Sequence, residues 1–406
     1  MYEQTGNRWK RTFFTIYAGQ AFSLIGSAAV QFALIWWLTI QSGSALTLTL
    51  ATLVSTLPSL VFGPFAGIWI DRYDRKTVMI AADALSALAA LVLVFAFWFL
   101  VEPPLWLVYG MLFIRGIGNT FHTPAMQAAI PMFVPADQLV KAGGWGNLIV
   151  SLSTMLGPAL GAFLMEILPL AFVMLVDVVG AVFAIGCLLL IHLPDLPRQN
   201  QKLHLIADLK EGWRAMMENG PLKMALLPIL AATILYMPLG SLFPLLLRSH
   251  YLGTARQNAL IQILFSGGLM ASSLYLGVKG AKGKTFQLIS AAIGVMGLAA
   301  ALIGILPSGC FWGFALCCLV MGATGTFFNV PLMAYIQKTI PPLQMGKVFS
   351  TLSAAMNLAA PFGLLIAGPL GEQIGVDHWF LWSGLLMVLI GFLCYQTTKQ
   401  YDRSNG

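Results

Sequence analysis

The amino-acid sequence predicts an all-α membrane protein with twelve transmembrane helices, arranged as two pseudo-symmetric bundles of six. Three observations predict this fold class. Of the 406 residues, 58% are hydrophobic and 9% are charged, whereas soluble domains carry about 25% charged residues. Apolar segments of about 20 residues, long enough to cross a bilayer as a helix, recur along the whole chain. The two halves of the chain also share residues at one constant offset.

Twelve apolar spans follow one another, separated by short breaks. Backbone groups in hydrocarbon must be hydrogen-bonded internally, so each span is expected to be a helix. The first six cover residues 12–40, 46–70, 77–101, 104–128, 139–164 and 168–192. The second six cover residues 221–247, 257–278, 285–306, 310–336, 345–369 and 377–397. We therefore expect an N-terminal bundle over 1–192, a cytoplasmic linker over 193–220 and a C-terminal bundle over 221–406.

The linker contains a predicted amphipathic helix. Between residues 205 and 217, apolar side chains recur every three or four positions, with charged side chains between them. This pattern predicts a helix that lies on the inner membrane face and tethers the two bundles. A helix that binds a partner protein is the alternative.

Positive charge indicates the orientation of the chain. With both termini in the cytoplasm, all but three of the 22 Lys and Arg residues fall in cytoplasmic segments, the exceptions being Arg248, Arg256 and Arg115. The positive-inside rule then predicts a multi-pass protein of the cell inner (plasma) membrane with both termini cytoplasmic. The net charge of +7 lies beside anionic headgroups, so membrane lipid is an expected partner and nucleic acid is not.

Identical residues recur at an offset of 206 positions, and they include polar loop residues that shared hydrophobicity explains poorly. Parallel repeats of this kind place a substrate cavity between two halves near mid-membrane, which predicts a transporter. The matching pairs include Gly116 with Gly322, Thr120 with Thr326, Gln138 with Gln344, Lys141 with Lys347 and Gly157 with Gly363.

The loop between spans two and three carries a cluster of charges. A glycine there permits close helix approach, an acid can cap a helix end, and the bases can pair with a neighbouring span. Such a cluster can latch one conformation of a transporter; a basic loop that only fixes topology is the alternative. The residues are Gly67, Asp71, Arg72, Arg75 and Lys76. They resemble the motif G-x-x-x-D-R-x-G-R-R/K of the major facilitator superfamily, with Asp74 in place of its second glycine.

Span five contains a glycine-proline pattern. Gly157 and Gly161 share one helix face and permit close packing, while Pro158 removes one backbone hydrogen bond and bends the helix. Simple packing accounts for this pattern equally well. The segment is similar to the antiporter motif G-x-x-x-G-P-x-x-G-G of proton-coupled drug exporters, with Ser153 and Ala162 replacing two glycines.

Ionisable residues inside the spans are few. Arg115 lies near the middle of span four, where an arginine costs on the order of 3 kcal/mol to insert and needs a partner or water. Asp177 and Asp83 are the candidate partners, although Asp83 is also placed to pair with the basic loop. We expect Asp177 or Asp83 to take part in proton coupling, with Arg115 influencing its ionisation; a structural salt bridge is the alternative. His122 is either a proton carrier or a hydrogen-bonded packing residue.

A central substrate cavity is expected to combine aromatic and methionine side chains with a few amides, which would suit a large amphipathic ligand. The candidate lining residues are Trp36, Asn147, Tyr236, Phe243, Asn329 and Asn357.

The chain resembles macrolide-efflux (Mef-type) proteins over nearly its full length, in segments 18–25, 113–118, 121–125, 236–238, 346–350 and 377–381. This resemblance implies export of macrolide-like compounds, driven by the proton gradient and without a cofactor. A siderophore, a lysophospholipid or an imported solute is the alternative cargo, because substrate changes readily within one fold.

An enzyme and a channel are the remaining alternatives. The sequence has no metal-ligand cluster and no nucleophile with an adjacent base, which disfavours an enzyme. It also has no ring of charges or repeated filter sequence, which disfavours a channel. We expect a monomer, with an accessory efflux partner left open.

Overall fold

The computed structural model describes residues 8–100, 102–135, 138–191, 205–279 and 284–404. These ranges form thirteen α-helices and no β-strand. In chain order the helices are α1 Arg8–Ser42, α2 Ala45–Arg72, α3 Arg75–Phe99, α4 Leu105–Phe133, α5 Leu139–Ile167, α6 Leu170–Leu189, α7 Leu205–Glu218, α8 Gly220–Ser249, α9 Ala255–Lys279, α10 Thr285–Ile305, α11 Phe311–Thr339, α12 Pro342–Ile374 and α13 Val376–Ser404.

Eleven helices within the described ranges are long and apolar enough to cross a membrane. The other two are α7, which has 14 residues, and α4. Helix α4 is long enough at 29 residues, but Arg115, Asn119 and His122 lower its mean hydropathy. The predicted all-helical multi-span architecture is therefore confirmed. The count of twelve spans stays a prediction, because its fourth span corresponds to α4.

The chain folds into two compact units. Unit 1 holds the described residues of Met1–Trp37 and Leu53–Leu203, and unit 2 holds those of Leu38–Thr52 and His204–Gly406. The beginning of α2 thus packs as part of unit 2. The bundle boundaries drawn from the sequence stay a prediction.

The same helix packing occurs in each unit. In unit 1, α3 packs against α4 and α6; in unit 2, α10 packs against α11 and α13. Close glycine contacts are repeated as well. A Cβ atom added to Gly157 of α5 would meet Ala28 of α1, and one added to Gly363 of α12 would meet the carbonyl oxygen of Ile234 of α8. Both residues of the first pair are offset by 206 positions from those of the second, in agreement with the repeat in the sequence.

Large side chains fill the interior of each unit. Phe13, Tyr17 and Met79 lie in the core of unit 1, and Phe286 and Ile336 lie in the core of unit 2. Because lipid tails are as apolar as these side chains, close van der Waals packing rather than the expulsion of water favours helix association here.

Helix α7 docks on α12 inside unit 2. The Lys347 ammonium donates to a Glu211 carboxylate oxygen at 2.6 Å, and the Thr351 hydroxyl donates to the Leu209 carbonyl at 3.2 Å. Met216 is fully buried, whereas Trp213 is 45% exposed. The apolar side of α7 therefore packs in part against unit 2, and the predicted contact of this helix with the membrane surface stays a prediction.

The segment after α8 is hydrogen-bonded to the C-terminal end of α10. The Tyr251 hydroxyl donates to the Ile303 carbonyl at 2.7 Å, and its ring stacks on Phe314 with centroids 4.8 Å apart. Burial raises the pKa of Tyr251 above its usual value, so the phenol keeps the proton that it donates.

Elsewhere in unit 2, Glu372 accepts hydrogen bonds from the Ser44 hydroxyl at 2.9 Å and from the Leu46 amide at 3.3 Å. That places a carboxylate at the positive N-terminal end of α2.

Candidate functional site

A buried ion pair joins α4 to α6 in unit 1. Arg115 Nη1 donates to Asp177 Oδ2, and Arg115 Nη2 donates to the Ser27 carbonyl at 3.3 Å. The Ser27 hydroxyl donates to the other carboxylate oxygen, Oδ1. Arg115 is 8% exposed and Asp177 1% exposed. The sequence allowed either Asp177 or Asp83 as the partner of Arg115, and in the structure that partner is Asp177.

The second acid, Asp83 of α3, lies in a separate polar cluster. Gln20 Nε2 of α1 donates to Asp83 Oδ2 at 3.2 Å. His122 Nε2 of α4 lies 3.5 Å from Asp83 Oδ1, too poorly placed for a hydrogen bond, and Gln20 Oε1 is unpaired as well. We call Gln20, Asp83 and His122 the Asp83 cluster. All three side chains are buried, and the described contacts of Asp83 are within this cluster.

The loop between α2 and α3 begins the next helix with an acidic cap. Asp74 accepts hydrogen bonds from the Thr77 amide at 3.0 Å and the Thr77 hydroxyl at 2.8 Å, which is the usual N-cap arrangement. Asp74 has φ −64°, so this position does not require glycine. Asp74, which replaces the second glycine of the superfamily motif, therefore serves as the N-cap of α3.

Two bases of the predicted latch begin α3. Lys76 donates to the Ile191 carbonyl at 2.6 Å, which places a cation near the negative C-terminal end of α6. Arg75 is the first residue of α3. The side chains of Gly67, Asp71 and Arg72 lie outside the described part of the structure, and the latch stays a prediction.

The two glycines of the antiporter-like motif lie where α5 crosses α1. A Cβ atom on Gly161 would stand 2.6 Å from the Ala29 carbonyl oxygen, and one on Gly157 would collide with Ala28. Both positions therefore have to be glycine for the helices to pack this closely. Pro158 lies inside α5 between the two glycines.

A cavity of about 180 Å³ lies within unit 2. Tyr236 of α8 and Asn329 of α11, both predicted as cavity residues, line it together with the backbone of Gly325. Its apolar wall is rich in methionine. The remaining lining residues are Ala232, Thr233, Met237, Ile293, Met296, Phe328, Met356 and Met387.

The other predicted cavity residues lie elsewhere. Trp36 is 4% exposed in unit 1, and Phe243 is 8% exposed in unit 2. Phe243 packs against the rings of Phe314 and Phe380. Asn357 is exposed, directly after the cavity residue Met356. The Asn147 side chain lies outside the described part of the structure.

Sequence reasoning missed the two polar residues of α1 that contact the buried acids. Gln20 and Ser27 are seven residues apart and so lie on one face of α1, which also carries Ser23 and Gln31. That spacing was visible in the sequence. The assignment of Gln20 to Asp83 and of Ser27 to Asp177 required the packed helices.

Long apolar helices in two similarly packed units, with buried ionic groups in unit 1 and a cavity in unit 2, define a multi-span membrane transporter. The chain belongs to the Major Facilitator Superfamily, whose family model matches residues 16–364. This confirms the resemblance in the sequence and the predicted fold class.

Two relatives extend the similarity. Over 390 residues the chain is 39% identical to Macrolide efflux protein A of Streptococcus pyogenes, covering 96% of each chain. Over 324 residues it is 37% identical to Macrolide efflux protein A of Enterococcus faecalis, covering 79% of this chain and all of the relative. Among solved structures, a bacterial homolog of the human lysosomal transporter Spinster superposes with TM-score 0.73 and 13% identity, covering 98% of this chain and 99% of that chain.

Proposed function

We propose that this protein exports macrolide-type antibiotics, or similar amphipathic molecules, across the cell membrane by proton antiport with alternating access. The observation that carries the proposal is the near full-length similarity to macrolide efflux proteins, which covers 96% of both chains at 39% identity. Both termini are assigned to the cytoplasm, because that orientation leaves most basic residues on the cytoplasmic side.

The cavity of unit 2 supports an amphipathic cargo. Drug-sized pockets typically measure about 300–1,000 Å³, so a cavity of about 180 Å³ admits only part of a macrolide. Its methionines adapt to irregular apolar shapes. Tyr236 and Asn329 supply hydrogen bonds, and no Asp, Glu, Lys or Arg is among its described lining residues. We assign it to an uncharged, mainly apolar portion of the substrate.

The proton gradient is the proposed energy source, and no cofactor is needed. Asp83, His122 and Asp177 of unit 1 are titratable groups buried among transmembrane helices. Such groups are costly to bury and typically belong to ion or proton pathways.

The test is expression in an efflux-deficient host. Resistance to a panel of macrolides should rise, and accumulation of a labelled macrolide should fall, relative to the empty vector. Collapse of the proton gradient with an uncoupler should restore accumulation. If the protein is present in the membrane and no macrolide changes in resistance or accumulation, drug export is wrong. A siderophore or a lysophospholipid then becomes the cargo to assay.

A further inference from the structure

The Asp83 cluster is incompletely hydrogen-bonded. Asp83 receives one hydrogen bond, from Gln20 at 3.2 Å. His122 Nε2 stands 3.5 Å from the carboxylate, longer than the roughly 2.8 Å of a charge-assisted hydrogen bond. Among the described residues, neither His122 Nε2 nor Gln20 Oε1, both buried, has a hydrogen-bond partner. Buried polar atoms are rarely left unpaired, so this cluster has the capacity to bind a proton.

Charge balance favours proton uptake at this cluster. With His122 neutral, Asp83 contributes one uncompensated negative charge to a buried site, which is costly in a medium of low dielectric constant. One added proton removes that net charge, either by neutralising the carboxylate or by converting His122 into a cation facing it. A small approach of the two side chains would then complete their hydrogen bond.

The Arg115–Asp177 pair has the opposite balance. Its two charges already cancel, and Ser27 donates to the carboxylate oxygen that Arg115 Nη1 leaves free. A proton on Asp177 would leave the Arg115 cation buried without its counter-charge, which is strongly unfavourable. This pair is therefore suited to holding helices together rather than to binding and releasing protons.

Other ionisable groups on the helices around Asp83 do not alter this balance. Arg115 is seven residues from His122 and Lys76 is seven from Asp83, so each lies about 10 Å away along its helix. Arg115 is paired with Asp177, and Lys76 donates to the Ile191 carbonyl. The described ionisable side chains here, apart from Asp83 and His122, are Lys10, Arg11 and Tyr17 of α1, the exposed Tyr73 after α2, Arg75 and Lys76 of α3, Tyr109 and Arg115 of α4, and Asp177 and Cys187 of α6. The side chains of Asp71 and Arg72 of α2 lie outside the described part of the structure.

We propose that the transported proton binds at the Asp83 cluster, shared between Asp83 and His122, and that the Arg115–Asp177 pair is structural. This assignment rests on the proposed proton antiport. Gln20 acts as a positioning residue, because its amide holds one carboxylate oxygen and leaves the other facing His122.

The first experiment separates coupling from substrate movement in proteoliposomes, with erythromycin as the macrolide. Asp83→Asn should lose accumulation driven by a pH gradient yet retain exchange of labelled for unlabelled erythromycin, which requires no net proton movement. Glu218→Gln, an exposed acid on α7, should behave as wild type in both assays. Accumulation by Asp83→Asn at the wild-type level would overturn the proposal.

The second experiment detects the proton itself and needs no substrate. Infrared difference spectra of the purified protein in nanodiscs, recorded between about pH 5 and about pH 9, should contain a change in buried carboxyl and imidazole bands. Asp83→Asn should remove it, and Asp177→Asn should keep it. His122→Gln should remove the imidazole bands from the change and keep the carboxyl band, since Asp83 is then the group of the cluster that takes up the proton. A carboxyl change that survives Asp83→Asn and disappears in Asp177→Asn would assign the proton to Asp177.

The two experiments distinguish this assignment from the proposed function. If wild-type protein moves no macrolide but Asp83→Asn removes the infrared change, the cargo is wrong and the proton site stands. If wild-type protein accumulates macrolide and Asp83→Asn does so equally, export stands and the proton site is wrong. Size-exclusion profiles of each variant identify any loss of folding, and His122→Gln provides the independent test should Asp83→Asn not fold.

Discussion

Removing one partner of the Arg115–Asp177 ion pair should destabilise the protein more than removing both. Asp177 is 1% exposed, so Arg115→Gln leaves a buried carboxylate with Ser27 as its remaining charge-stabilising donor. Breaking a buried pair in this way costs about 3–5 kcal/mol. For a unit of this size, that loss corresponds to a decrease in Tm on the order of 10 °C.

The double variant Arg115→Gln/Asp177→Asn should recover much of this stability. Neither new side chain is charged, and the two amides can hydrogen-bond to each other, so the cost of an unpaired buried charge disappears. The coupling energy of the double-mutant cycle should therefore exceed about 2 kcal/mol. The exposed pair of Arg214 and Glu218 is the matched control, and Arg214→Gln should change stability by less than about 1 kcal/mol.

The assay is the fraction of monodisperse protein that remains after heating, followed by fluorescence-detected size-exclusion chromatography. Arg115→Gln and Asp177→Asn should each lower the midpoint, and the double variant should lie closer to wild type than either. A double variant whose loss equals the sum of the two single losses would refute this reasoning, because it would show that the two charges do not stabilise each other.

Three further predictions concern packing, capping and substrate contact. Gly161→Ala should cost about 1–3 kcal/mol, because its Cβ would stand 2.6 Å from the Ala29 carbonyl oxygen; Gly143→Ala in the same helix meets nothing within 4 Å and should not lower the melting midpoint. Equal midpoints for the two variants would contradict the close contact. Asp74→Ala should cost about 1 kcal/mol and Asp74→Gly only about a few tenths of a kcal/mol; identical stability of wild type and Asp74→Ala in the same heating assay would exclude the cap. Asn329→Ala should weaken erythromycin binding about fivefold, for one lost hydrogen bond, and an unchanged Kd by scintillation proximity would remove Asn329 from the binding site.

The fold was largely predictable because its main constraint acts locally. A segment in hydrocarbon has to satisfy its own backbone hydrogen bonds, so a long apolar stretch predicts a helix without knowledge of its neighbours. Helix α4 is the exception. It carries Arg115, Asn119 and His122, and these polar residues lower its mean hydropathy below that of a typical membrane span.

The candidate site was only partly predictable. The buried ionisable residues were predictable from the sequence because charges are rare in the spans. Tyr236 and Asn329 do line a cavity, but it lies within unit 2, whereas the sequence predicted a cavity between the two halves. Methionine was expected in a cavity wall as well, but its identity was predictable only for Met356, because methionine is common in apolar helices and only spatial clustering distinguishes Met237, Met296 and Met387.

The sequence by itself determined the approximate limits of the apolar segments, the repeat at 206 positions and the set of residues able to carry charge within the membrane. These properties depend on composition and spacing along one chain. Only the tertiary structure decided that Arg115 pairs with Asp177, that Asp83 faces Gln20 and His122, and that Asp74 caps α3. The physical reason is that hydrogen bonds and ion pairs form over about 3 Å, whereas helical periodicity places a side chain on a face and leaves the rotation and depth of each helix to packing.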